Sequence, residues 1–121
     1  MTQVAIRRLF ALSLMFGLAV FAHAQDYKPL LGDWNMTSES DGDPIKWTLS
    51  LKEVEGKLTA ICGTADGEKP AKNVTFADGV LKFVTHYEDD DYGITLKPNG
   101  NKLEGTWEGD GNSGKTYGFK N

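Results

Sequence analysis

The sequence predicts an all-β protein: an eight-stranded antiparallel up-and-down meander closed into a small barrel and preceded by a cleaved signal helix. Three observations carry this. Trp47, Leu49 and Leu51 alternate with Thr48, Ser50 and Lys52; after Glu55-Gly56 the pattern resumes with Leu58, Ala60 and Cys62, so two arms of a hairpin bury one face. Further alternating runs follow to the C-terminus, separated by turn dipeptides such as Asp78-Gly79 and Asn99-Gly100. No helical period appears beyond residue 24, and every connection between runs is short.

The first 24 residues read as an export signal. Arg7-Arg8 precede an apolar run from Leu9 to Phe21, which ends at the small-residue site Ala22-His23-Ala24. The run is shorter than the roughly 20 residues a spanning helix needs. Residues 1–24 are therefore expected to be a signal peptide and residues 25–121 a single barrel domain, secreted or periplasmic. Removal of the signal leaves 11 lysines against 17 Asp and Glu, a net charge of −6. A surface that acidic disfavours nucleic acid and anionic membrane as partners. Cys62 is the only cysteine, so no intramolecular disulfide is available to staple the fold.

Gln25 to Leu31 is an apolar lead-in expected to pack on one end of the barrel. Strand one is Gly32 to Glu39, with Trp34 and Met36 inward, followed by the turn cluster Ser40 to Pro44. Strands two and three are the Trp47–Thr64 hairpin. Thr64 to Lys69 reads as a polar loop, and strand four, Ala71 to Ala77, turns Val74 and Phe76 inward. Strand five, Val80 to Tyr87, points Leu81, Phe83, Thr85 and Tyr87 inward. It breaks at Glu88 to Asp91, where adjacent carboxylates repel. Strand six, Tyr92 to Lys97, carries Tyr92, Ile94 and Leu96; strand seven, Lys102 to Glu108, carries Leu103, Gly105 and Trp107. After Gly109 to Gly114 comes strand eight, Lys115 to Lys120, with Tyr117 and Phe119 as its inward pair. Pairing of strand eight with strand one would remove both exposed edges.

In such a meander the odd connections gather at one end. Here they are the longer, acidic ones and hold ten of the 17 carboxylates; the even connections are tight turns. Near the acidic mouth the expected inward side chains include Trp47, Tyr87, Tyr92, Trp107 and Tyr117. These are the candidate ligand-binding residues, suited to a small hydrophobic or cationic guest through stacking and cation–π contact. Tyr and Trp also collect at barrel ends because their polar atoms need water, so a barrel filled by its own side chains is the competing reading. Asp41, Asp43, Asp89 and Asp91 are the candidate metal ligands, oxygen donors of the kind Ca2+ takes, in loops without the spacing of a known calcium motif. No other cofactor is implied. Catalysis finds little support: His86, the one histidine beyond the signal, falls on an outer face while Cys62 points inward, so the two cannot form a catalytic pair.

Gly32-Asp33-Trp34, after a short apolar lead-in and before an eight-strand meander, resembles the G-x-W signature of the lipocalin and avidin-like barrels. The resemblance implies a Trp packed at the closed end under a basic side chain of the last strand, for which Lys120 is the matching position. It also implies an exported binding protein for small, hydrophobic molecules. The avidin-like pattern is lost after Trp34, where Asn35 and Met36 follow, so no biotin site carries over. Two functions compete: a binding protein for a small ligand at the aromatic mouth, and a structural or protein-interaction module with a filled barrel and no ligand.

Overall fold

The computed structural model describes residues 26–121; the signal peptide expected at residues 1–24 lies outside them. The chain forms one antiparallel sheet of nine strands curled into a nearly closed barrel. They are β1 (Gly32–Ser38), β2 (Ile45–Val54), β3 (Lys57–Thr64), β4 (Gly67–Pro70), β5 (Lys72–Ala77), β6 (Val80–Tyr87), β7 (Asp90–Asn99), β8 (Lys102–Gly109) and β9 (Asn112–Lys120). Their order across the sheet is β4-β3-β2-β1-β9-β8-β7-β6-β5. The last strand pairs antiparallel with the first, as closure requires.

The ninth strand, β4, forms from residues expected to be the Thr64–Lys69 loop, with Pro70, while the expected strand four survives as β5. Tracing the antiparallel pairs around the sheet gives β4 and β5 the same direction, and only Ala71 separates them. They are the two halves of a bent strand, one paired with β3 and the other with β6. The Ala71 amide donates to the Ala60 carbonyl at 2.8 Å, drawing the seam together at the bend. Just beyond, Asn73 takes a left-handed φ of 55° and the register against β6 shifts between Lys72 and Thr75. Such a bulge bends a strand sharply, which a small barrel needs.

Three expected loops shrink to tight turns. β4 occupies Gly67–Pro70, β7 already begins at Asp90, and β9 begins at Asn112. Left-handed backbone at Glu88 (φ 57°), Asp110 (53°) and Gly111 (74°) reverses the chain within two residues, so the ladders continue to the turn. The adjacent carboxylates do not break β7, because the pleat sends Asp90 and Asp91 to opposite faces.

The alternation places the core where it was expected. Trp34, Met36, Leu49, Leu51, Ala60, Cys62, Leu81, Phe83, Ile94, Leu96 and Leu103 are buried. The lead-in stoppers one end: a short 3-10 turn, Lys28–Leu30, buries Leu30, whose carbonyl accepts from Trp34 Nε1 at 2.9 Å. Tyr27 donates to Glu53 at 2.5 Å, and Lys120 Nζ reaches the Pro29 carbonyl at 3.0 Å while lying 5.6 Å from the Trp34 ring centre.

Strand eight of the sequence reading faces the other way. Tyr117 pairs with Thr37 and Glu104, which are outward, whereas Thr116 pairs with Ser38, which is inward. Tyr117 and Phe119 therefore lie outside, Phe119 with 55% of its surface exposed, and Thr116 and Gly118 lie inside. Space decides this. A Cβ at Gly118 would collide with the Asn35 carbonyl and the Met36 sulfur, and one at Gly114 would lie 2.6 Å from both the Glu39 carbonyl oxygen and Trp107 Nε1. Large side chains on β1 and β8 have already filled the interior beside β9, and only small residues fit there.

Candidate functional site

The interior is divided along the barrel axis. Leu51, Leu81, Leu96 and Leu103, all fully buried, pack the stoppered half with Trp34. The opposite half holds a cavity of about 260 Å³, lined by Ser38, Ser40, Ile45, Trp47, Cys62, Thr64, Thr85, Tyr87, Glu88, Tyr92, Ile94 and Trp107. This lies close to the lower end of ordinary small-molecule sites, roughly 300 Å³ upward. The lining comes from β1, β2, β3, β6, β7 and β8, so the walls surround the space from around the circumference.

Four of the five expected ligand-binding residues line this cavity: Trp47, Tyr87, Tyr92 and Trp107. Tyr117 does not, and the expectation for it is corrected by the reversed facing of β9. The lining residues the sequence reading left out are Ser38, Ser40, Ile45, Thr64 and Glu88. Ser38 belongs to the inward series of Trp34 and Met36, and strand periodicity alone would have found it.

The aromatic walls are held from behind. Trp47 Nε1 donates to Ser38 Oγ at 2.9 Å; Ser38 lies 2.9 Å from Thr116 Oγ1, which donates to the Thr37 carbonyl at 3.2 Å. Trp107 Nε1 donates to the Glu39 carbonyl at 2.8 Å. Both indole N–H groups are thus engaged by the protein. Among the described residues no buried side-chain N or O atom lacks a partner. Tyr92 stands between Tyr87 and Trp107, with ring centres 6.5 and 5.8 Å away and planes inclined at 56° and 72°. Trp47 meets Phe83 edge-on at 6.5 Å, joining the mouth to the packed core.

The electrostatics of this end are negative. Glu39, Asp41, Asp43, Asp66, Glu88, Asp89, Asp90 and Asp110 lie at the strand ends and turns around the rim. Burial, and then the charges of Glu88 and Asp66, push the Tyr87 phenol above its ordinary pKa. Burial also raises Tyr92, with Asp90, Asp110 and Glu88 adding to the effect. The Cys62 thiol is raised by burial, partly offset by a hydrogen bond with Thr85. Both phenols and the thiol are neutral at pH 7.

The candidate metal ligands are not brought together. Asp41 and Asp43 are exposed on the β1–β2 turn and Asp89 on the β6–β7 turn, and Asp91 points outward from β7, where His86 Nδ1 lies 2.8 Å from its carboxylate and lowers its pKa. Among the described residues no three His, Cys, Asp or Glu side chains converge as a metal site. A larger depression of about 760 Å³ lies outside the barrel, across β1, β2, β3, β4 and β9, with Lys46, Thr48, Glu68, Tyr117 and Phe119 among its lining. It is a trough on one sheet face, whereas the mouth cavity is walled on opposing sides, and the latter is the better candidate for holding a small molecule.

Comparison with known proteins adds no relative: no family model, curated protein or solved structure matches the chain. Among the described residues no helix is long and apolar enough to cross a membrane.

Proposed function

We propose that this protein is an exported binding protein that holds a small molecule in the mouth of its barrel. The observation that carries the reading is the 260 Å³ cavity walled by Trp47, Tyr87, Tyr92 and Trp107 above a packed lower core. A barrel serving only as a scaffold gains from filling that space, because a void forfeits contact energy along its whole lining. The G-x-W resemblance and the Lys120–Trp34 contact agree with a barrel of the binding type. Export rests on residues 1–24; mass spectrometry of the protein from its native host should find Gln25 at the N-terminus, and a retained Met1 would remove that part of the reading.

The binding test is a screen of small apolar and cationic compounds followed by tryptophan fluorescence and thermal shift. Binders should change the emission of Trp47 or Trp107 and raise the melting temperature. Absence of any response across the panel would end the reading. A second reading, contact with another protein through the outer sheet face, is favoured by the 760 Å³ trough and the exposed Phe119. It predicts a co-purifying partner that is lost on Phe119→Ser.

A further inference from the structure

We infer that the guest of the mouth cavity is an organic ammonium ion, its cationic head boxed by Tyr87, Tyr92 and Trp107 and balanced by Glu88. The inference rests on the small-molecule reading above and names the chemical class that reading leaves open. Three observations carry it.

First, the three rings form consecutive walls. Planes inclined at 56° and 72° cannot stack on one another as a closed pile. They present surfaces at steep angles to a common space, the arrangement by which aromatic boxes recognise ammonium groups. Second, both indole N–H groups in the cavity are already spent, on Ser38 Oγ and on the Glu39 carbonyl. The indoles therefore offer a guest their π surfaces and no free donor, which suits a cation and gives an anion nothing. Third, Glu88 is the only charged residue of the lining; no Lys, Arg or His contributes. A carboxylate at the edge of an aromatic, otherwise neutral chamber attracts a positive head and rejects a negative one. The remaining rim carboxylates supply a field that raises the local concentration of cations without contacting the guest. The apolar walls from Ile45, Ile94 and Cys62 receive the uncharged part of the molecule, and 260 Å³ limits that part to a short tail.

The experiment compares choline with 3,3-dimethylbutan-1-ol, its neutral carbon isostere, on the full barrel, read by tryptophan fluorescence and by NMR line shifts. The two probes have the same shape, so dispersion and burial cancel and the difference isolates the charge. Cation–π attraction of about 0.5 to 2 kcal/mol corresponds to roughly a 2- to 30-fold preference for choline. Glu88→Gln should weaken choline about 2- to 5-fold and leave the isostere unchanged; Glu88 is exposed, so this variant keeps the fold. Tyr92→Leu should abolish the preference while retaining apolar binding. Equal binding of the two probes would overturn the inference and leave a plain apolar site. Choline binding that survives Glu88→Gln and Tyr92→Leu but falls when Asp41, Asp43 and Asp89 become Asn would also overturn it, since the rim would then be attracting the cation nonspecifically. If neither probe nor any compound of the wider screen binds, the small-molecule reading fails together with the inference.

Discussion

Gly114→Ala tests whether the candidate site depends on the packing behind it. The backbone at Gly114 is not left-handed, so alanine suffers no conformational penalty there and any cost arises from space. The new methyl would stand 2.6 Å from the Glu39 carbonyl oxygen, 2.6 Å from Trp107 Nε1 and 2.9 Å from Trp107 Cε2. Ordinary contacts begin near 3.5 Å, so the methyl cannot enter unless the indole leaves. Moving it breaks the 2.8 Å hydrogen bond from Nε1 to the Glu39 carbonyl. Overpacking costs about 1 to 3 kcal/mol and the lost bond about 0.5 to 1.5, so the variant should lose roughly 2 to 4 kcal/mol. For a domain of this size each kcal/mol is worth about 4 to 8 °C, which places the melting temperature roughly 10 to 30 °C lower. Calorimetry measures the stability, and near-UV circular dichroism should report the altered setting of Trp107. Gly42→Ala is the control, because a Cβ there meets nothing within 4 Å. If Gly114→Ala matches this control in stability and in its aromatic spectrum, the account of how Trp107 is held is wrong.

Three further outcomes are expected. Lys120→Ala should lower the urea midpoint by the equivalent of about 1 to 2 kcal/mol, since Lys120 bonds the Pro29 carbonyl and covers Trp34; an unchanged midpoint would show that the stopper holds without it. Cys62, buried with its thiol pKa raised, should react with a thiol reagent at pH 8 far more slowly in the native protein than in urea. Immediate stoichiometric labelling of native protein would contradict that placement. The raised pKa values of Tyr87 and Tyr92 mean that the folded state keeps its phenolic protons to higher pH than the unfolded chain. Their contribution to stability is thus complete below pH 10 and is lost as pH rises from there through the folded values; absorbance at 295 nm should show tyrosines ionising later in folded than in urea-unfolded protein.

The residues themselves announced the barrel. Trp47-Leu49-Leu51, Leu58-Ala60-Cys62 and Leu81-Phe83 alternate with polar neighbours, and a period of two admits a strand with one buried face and little else. The same pattern put Trp47, Tyr87, Tyr92 and Trp107 at one mouth, because alternation sets the face and turn spacing sets the height along the axis. Four decisions belonged to the tertiary structure. Thr116-Tyr117-Gly118-Phe119 alternates small with aromatic, and by polarity alone the aromatics belong inside. Trp107 and Met36 arrive there from neighbouring strands and occupy the volume, so Thr116 and Gly118 face inward and Tyr117 is turned out. The bend at Ala71 depends on β3 and β6 pulling the two halves of one strand in different directions, a demand that no local residue pattern encodes. The acidic stretches look like loops because their charges repel, yet the pleat separates Asp90 from Asp91 and left-handed turns let the ladders run on. Whether the barrel is filled or hollow is likewise a sum over all inward volumes, and only the assembled walls show that the stoppered half is packed while the acidic half is open.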